Sequence, residues 1–179
     1  LIDLALAEPF ADVLDLGTGS GCILLTLLLE RLGAIGLGVD RAQAALAVAR
    51  RNAQDLNVGG RARLHRSDWF SGVPGDFDLI VANPPYLSAA DYAALPRPAG
   101  RGMGAGDTWD PKIALTVGGD GLCPYRRICP EAPSHLRPGG RLIVEIGHTQ
   151  GAAVARLFEQ AGLADMTVHP DINGKARVV

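Results

Sequence analysis

An apolar run, Asp12-Val13-Leu14-Asp15-Leu16, opens directly onto Gly17-Thr18-Gly19-Ser20-Gly21, and a second apolar run from Cys22 to Leu29 follows without a break. A short strand that feeds a glycine turn and then a helix is a βα unit, and it commits the chain to few architectures. The helix is expected over Ser20 to Leu32, with Gly33 as its stop. The alternation continues: Ile35 to Val39 reads as a second strand ending at Asp40, and the alanine-rich stretch Arg41 to Leu56 as an amphipathic helix. Arg61 to Arg66 reads as a third strand, and Phe77 to Ala82 as a fourth, continuous and apolar like a strand buried on both faces. Strands alternating with helices predict a parallel sheet covered on both sides, with right-handed crossovers.

Residues 87–119 break the rhythm. They hold Pro96, Pro98, Pro111 and many glycines, with little periodicity, and read as a long substrate-side surface loop. Tyr125 to Leu136 predicts a helix that Pro130 and Pro133 kink or break. Pro138-Gly139-Gly140 reads as a turn, Arg141 to Ile146 as a fifth strand, and Thr149 to Ala161 as a helix stopped by Gly162. Ala164 to His169 and Ala176 to Val179 are expected to pair as a hairpin around Asp171 to Lys175. No internal repeat and no second domain is visible, so residues 1–179 read as one domain.

Bulk properties narrow the partners. An apolar share of 47% and a charged share of 20% are those of an ordinary globular protein, and 179 residues can bury a full core. The longest apolar run is interrupted by Thr26 and ends at Glu30 and Arg31, well short of a membrane span. No export signal is visible, and the chain begins at Leu1. Cys22, Cys123 and Cys129 form no metal or redox spacing, and their odd number fits a reducing cytoplasm. His65, His135 and His169 have no ligand spacing, so no metal is expected. A formal charge of -2 argues against a partner held mainly through phosphates, while leaving room for a local basic face.

The glycine turn points to a ligand. Glycines adopt backbone angles that side chains forbid and let a ligand approach the main chain. The spacing is Gly-x-Gly-x-Gly, not the Gly-x-Gly-x-x-Gly of dinucleotide sites. Asp15 before the turn suits a cationic amino acid portion better than a pyrophosphate. Asp40, at the end of the second strand, can accept from both hydroxyls of a ribose. In Ser67-Asp68-Trp69-Phe70, Asp68 can accept from an adenine amino group and Trp69 can supply an aromatic wall. The competing readings are a tight turn without ligand, a helix N-cap at Asp68 and core packing for Trp69 and Phe70.

Asn83-Pro84-Pro85-Tyr86 follows the fourth strand. The Asn83 side-chain oxygen and the Pro84 carbonyl can accept the two N–H bonds of a planar NH2 group, and Tyr86 can lie against its flat face. The prolines stiffen the turn: Pro84 pushes Asn83 toward extended angles, and both rings fix their own φ. Orientation of this kind supplies up to about 7–11 kcal/mol of a barrier. With the glycine turn, the string suggests methyl transfer onto an amide or amine nitrogen; alone, it is also a proline turn with Asn as a local cap.

These residues resemble a known family. Asp15-Leu16-Gly17-Thr18-Gly19-Ser20-Gly21-Cys22-Ile23, Asn83-Pro84-Pro85-Tyr86, Trp109-Asp110-Pro111, Ala114-Leu115, Gly118-Gly119-Asp120-Gly121-Leu122, Tyr125-Arg126-Arg127-Ile128, Pro138-Gly139-Gly140 and Glu145-Ile146-Gly147-His148 are similar, in order, to the HemK/PrmC family. Those enzymes methylate the glutamine N5 in the Gly-Gly-Gln loop of peptide chain release factors. The resemblance implies a Rossmann-like class I S-adenosylmethionine-dependent methyltransferase fold. Its sheet would be seven-stranded and mostly parallel, six strands parallel and the last antiparallel, with a C-terminal antiparallel hairpin. It implies S-adenosyl-L-methionine as cofactor and S-adenosyl-L-homocysteine as product. Asp15, Gly17, Thr18, Gly19 and Gly21 would line the cofactor; Asp40 would hold its ribose; Asp68 and Trp69 would border its adenine. Asn83 would meet both cofactor and substrate, Asn83 with Pro84 would grip the amide as catalytic residues, and Pro85 and Tyr86, the latter also catalytic, would complete the substrate pocket. The implied partner is a release factor, met by a cytoplasmic monomer without membrane or direct nucleic-acid contact.

Two departures stand out. Family proteins usually carry a helical N-terminal domain, of which only residues 1–8 here could be a linker remnant. The family's acidic Pro-Glu-Val-type segment before Trp109 is replaced by Pro96-Arg97-Pro98-Ala99-Gly100-Arg101-Gly102-Met103-Gly104-Ala105-Gly106. Adenine-N6 nucleic-acid methyltransferases share the Asn-Pro-Pro-Tyr string, so adenine is a rival acceptor. The residues also fit glutamine on a ribosomal protein as the acceptor, or a catalytically impaired cofactor-binding module. Elsewhere in the chain, His148 reads as solvated rather than pocket-lining, Glu145 as buried and hydrogen-bonded, Arg126 and Arg127 as a solvated helix face, and Asn52 as a helix-end residue.

Overall fold

The computed structural model describes residues 1–94 and 119–179. The 95–107 departure, Trp109-Asp110-Pro111, Ala114-Leu115 and Gly118 lie outside the described residues. Five strands, β1 (Asp12–Leu16), β2 (Ile35–Asp40), β3 (Ala62–Arg66), β4 (Phe77–Ala82) and β5 (Leu136–Val144), form one sheet in the order β3-β2-β1-β4-β5. Every pairing in it is parallel. Period-two alternation sends side chains to both faces. Leu14, Leu16, Ile80, Ala82, Leu142 and Val144 enter one core. Val13, Leu79, Val81 and Ile143 enter the other.

Helices cover both faces. On one lie α1 (Ile2–Leu6), α2 (Cys22–Glu30) and α3 (Gln43–Asp55). In α2, Leu24, Leu25, Leu27 and Leu28 are all buried, because α1 and α3 flank it while the sheet lies beneath. Gly38 of β2 makes that contact possible: a Cβ there would stand 2.9 Å from Leu24 and 2.8 Å from Leu64. Helix α3 buries Leu46, Ala49 and Ala53, a stripe whose small members let it lie close to the sheet. The opposite face carries α5 (Cys123–Glu131), followed by a 3₁₀ turn (Ala132–His135), and α6 (Gly151–Gln160), which buries Gly151, Val154 and Phe158. Tyr125 of α5 is fully buried, and its hydroxyl donates to the Glu145 carbonyl at 2.7 Å. Tyr125→Phe strands that acceptor and is expected to cost about 1 kcal/mol, read as a lower denaturant midpoint at unchanged slope.

At the amino ends of the strands, Arg137 pairs with Asp12 at 2.6 Å and Asp78 at 2.9 Å. The other Asp78 oxygen accepts the amides of Ala11 and Asp12, so one carboxylate fastens the starts of β1 and β4.

Several expectations need correction. The main sheet has five parallel strands, not six. β6 (His169–Pro170) and β7 (Ala176–Val178) form a separate antiparallel pair, short because Pro170 has no N–H to continue the ladder. That pair is stitched to the main sheet: Val144 and Val179 exchange hydrogen bonds at 2.8 and 3.0 Å, and Ile146 donates to the Arg177 carbonyl. Strand β5 starts at Leu136 rather than Arg141. Phe77 pairs with Leu136 and Leu79 with Arg141, so Pro138-Gly139-Gly140 is a bulge inside the strand. The region assigned wholly to loop begins with a helix, α4 (Ala89–Ala94). Ser88 caps it, its hydroxyl accepting the Asp91 amide and donating to the Asp91 carboxylate. Within residues 1–8, the stretch expected as a linker remnant, Ile2–Leu6 is helical, Ala5 is buried and Arg141 donates to the Leu4 and Ala5 carbonyls. Among the described residues no helix is long and apolar enough to cross a membrane.

Candidate active site

Strand order reverses between β1 and β4, and in open parallel sheets the crevice at such a reversal receives ligands. Leu16 pairs with Ala82, so Gly17 and Asn83 leave neighbouring strands at the same level. The two sequence motifs therefore converge on one edge of the sheet.

The glycine turn is held from β2. Gly17 and Thr18 both donate to the Val39 carbonyl, at 2.8 and 2.9 Å, and Gly21 donates back to Thr18. Gly17, Gly19 and Gly21 all have positive φ, +73°, +57° and +84°, where an L side chain is strained. Asp40 completes the turn. One of its oxygens accepts the Gly19 amide at 3.0 Å and the other the Ala42 amide at 2.8 Å. It is thus a structural brace as well as the expected ribose acceptor. Asn52 adds a tie from α3, its amide donating to the Ser20 carbonyl.

Asp15 lies beneath this turn, 1% exposed. Its Oδ2 accepts from the Thr18 hydroxyl at 2.7 Å, and its Oδ1 has no partner among the described residues. Burial pushes the carboxyl up from 3.8 to about 6, against the pull of Thr18. A buried carboxyl under a glycine turn would suit a ligand with a cationic group above it. The fold prefers the protonated form, so this group's contribution to stability is full below pH 3.8 and is lost as pH rises through about 6. Asp15→Asn keeps an acceptor for Thr18 and removes that loss. It is expected to stabilise the free protein at pH 8 by up to about 3 kcal/mol and very little near pH 4, measured by denaturation at both values.

Trp69 has φ +55°, and its carbonyl accepts from the Ser67 hydroxyl. Its ring lies over the turn: a Cβ on Gly17 would meet it at 3.8 Å. Phe70 is core, stacked on His135 with ring centroids 4.6 Å apart. Asp68 is not free. Both its oxygens are engaged by Arg127 Nη1, at 3.0 and 2.8 Å, with both side chains about half exposed. Arg127 is exposed, as expected of a solvated helix face, and is also paired with Asp68. Arg126 is forked onto Asp120, which holds that carboxyl down at about 2.

Within Asn83-Pro84-Pro85-Tyr86, Pro84 is buried, Pro85 and Tyr86 are half-buried and Asn83 is exposed. The Asn83 carboxamide has no hydrogen-bond partner among the described residues. The end of β4 is fixed by Glu145, whose amide donates to the Ala82 carbonyl at 2.9 Å. Burial raises the Tyr86 phenol and the Glu145 carboxylate pushes the same way, so this hydroxyl stays neutral at ordinary pH. Arg177 of β7 stands 3.5 Å from it. His148 is exposed. Sequence reasoning missed Gln150, whose side chain links the Tyr86 carbonyl to the Gly147 amide. Gly121, part of the resemblance but given no role there, packs over that link. Only a glutamine directly before the small residues Gly151-Ala152-Ala153 hinted at a buried amide there.

A glycine turn and a proline-stiffened asparagine, set across the reversal of a doubly wound parallel sheet, define the class I methyltransferase architecture. A methyltransferase from Pyrococcus furiosus has this fold, with a TM-score of 0.70 at 19% identity, covering 99% of this chain and 76% of that one. The chain belongs to the methyltransferase small domain family, whose model matches residues 1–95. It is 56% identical over 179 residues to the release factor glutamine methyltransferase of Cereibacter sphaeroides, covering 100% of this chain and 62% of that protein. It is 48% identical over 165 residues to the protein of the same name from Rhodospirillum rubrum, covering 92% of this chain and 49% of that protein. The chain therefore spans only about half to three-fifths of these curated relatives.

Proposed function

We propose that this chain carries the chemistry of a protein-(glutamine-N5) methyltransferase that uses S-adenosyl-L-methionine and acts on the Gly-Gly-Gln loop of a peptide chain release factor. The observation that carries the reading is the Asn83 carboxamide, exposed at the end of β4, level with the glycine turn and unengaged by the described protein. The likeness to relatives named release factor glutamine methyltransferase supports it.

When bound, S-adenosyl-L-methionine supplies an electrophilic methyl carbon on a positively charged sulfur. The chain's residues do the rest. Gly17, Gly19 and Gly21 offer main chain without obstructing side chains, Trp69 closes one wall, and Asp15 places negative charge under the cationic portion. The Asn83 oxygen and the Pro84 carbonyl accept the two N–H bonds of the glutamine amide, which fixes its plane and favours the positive charge that grows on nitrogen. No strong base is required. With the cofactor bound, the nitrogen would gain its bond to the methyl carbon as the carbon–sulfur bond breaks, and the acidified N–H proton would pass to water. Tyr86 remains protonated and packs rather than titrates.

The test is transfer of labelled methyl from S-adenosyl-L-methionine to a release factor and to its variant with the Gly-Gly-Gln glutamine changed to alanine, with DNA and RNA in parallel. Labelling of the native factor alone is expected. Equal labelling of the variant, or labelling of nucleic acid instead, overturns the reading.

A further inference from the structure

We propose that Gln150 is a positioning residue: it clamps the far end of the Asn-Pro-Pro-Tyr string and thereby sets the orientation of Asn83. The rate consequence rests on the glutamine-methylation reading; the clamp itself does not. Gln150 is 8% exposed, one of only three buried polar side chains among the described residues. A buried carboxamide is costly unless both ends are bonded. Here both are. Nε2 donates to the Tyr86 carbonyl and Oε1 accepts the Gly147 amide, each at 2.9 Å. A carbonyl only accepts and an N–H only donates, so the orientation of the amide group is unambiguous.

The backbone of Gln150 is equally fixed. Its amide donates to the Gly147 carbonyl, and its carbonyl accepts from Ala153 and Val154 in the first turn of α6. The clamp is therefore anchored at a helix end, not on a free loop. Two glycines from separate segments close over it. A Cβ on Gly121 would stand 2.8 Å from Gln150 Nε2 and collide with the Tyr86 carbonyl. A Cβ on Gly147 would stand 3.1 Å from Gln150 Oε1 and 3.5 Å from the Tyr86 ring. Between the clamp and Asn83 lie only Pro84 and Pro85, whose rings fix φ. With two of the intervening backbone angles fixed, movement at the Tyr86 carbonyl is passed on toward Asn83.

Gln150→Met keeps the volume and loses both bonds; Gln150→Glu keeps an acceptor for Gly147 and loses the donor to Tyr86. For both variants and the native protein, we would measure kcat and KM for methyl transfer, S-adenosylhomocysteine affinity by calorimetry, and hydrogen exchange at the amides of Tyr86, Leu87 and Ser88, the two prolines before them having no N–H. The expected result is kcat lower by about 100-fold, S-adenosylhomocysteine affinity unchanged, and faster exchange in 86–88 but not in β1 or β2. Two results overturn the clamp: kcat close to native in both variants, or loss of cofactor affinity in step with kcat. If the native protein labels no release factor, hydrogen exchange decides. Unchanged exchange in 86–88 then overturns the clamp, and locally faster exchange sustains it although the methylation reading has failed.

Discussion

Asn83→Ala is expected to lower methyl transfer by about 100- to 1000-fold while S-adenosylhomocysteine affinity stays near native. Asn83 is exposed, bonded to none of the described residues, and placed after a strand already secured by the bond from Glu145 to Ala82. Removing its carboxamide creates no cavity and strands no buried partner, so the fold has no reason to respond. On the proposed function, what disappears is an acceptor aimed at a nitrogen whose charge grows during the reaction, and such a loss falls on kcat. Asn83→Asp refines the test: it retains the acceptor but adds a charge that must be desolvated, and is expected to fall between alanine and native. A large loss of cofactor affinity in Asn83→Ala would move the residue from the acceptor amide to the cofactor.

Gly121→Ala is expected to be nearly as damaging by another route. Gly121 has φ +75°, which costs alanine about 1–2 kcal/mol. Its new methyl group would also occupy the space of the Tyr86 carbonyl and crowd Gln150 Nε2 at 2.8 Å. One partner is backbone and the other is buried and doubly bonded, so neither yields cheaply. The string must shift, and a shift of about 1 Å at a reacting group costs about 100-fold in rate. Gly119→Ala is the control. It also has positive φ, +60°, but no atom of the described residues lies within 4 Å of its Cβ position. It carries the conformational cost without the collision, so equal losses of activity in the two variants would refute the steric argument.

Legibility in the sequence follows the range of the interactions. The β1–turn–α2 unit can be read because apolar period and glycine angles act within a few residues. Asn83 and Gly17 can be matched because one strand order brings both to the same edge. The C-terminal pairing is shorter than its sequence suggests because strand potential in Ala164 to Val168 says nothing about a partner, and Pro170 ends the ladder. Pro138-Gly139-Gly140 punctuates a bulge and a turn identically. Helix α4 is six residues long and rests on the Ser88 cap. The least legible residues act across distance: Gln150 reaches Tyr86 over 64 positions, and Arg127 reaches Asp68 over 59. Asp40 ends β2 beside the glycine turn, as its sequence position implies, but its bond to the Gly19 amide cannot be foreseen from either residue alone.

The ion-paired group of Arg137, Asp12 and Asp78 sits on the opposite rim of the sheet from the glycine turn and Asn83. Robustness and the proposed chemistry are thus anchored at separate poles of the same strands. Engineering at the rear pole, by added charge pairs or tighter bulge geometry, is expected to harden the scaffold against heat while leaving the proposed site untouched.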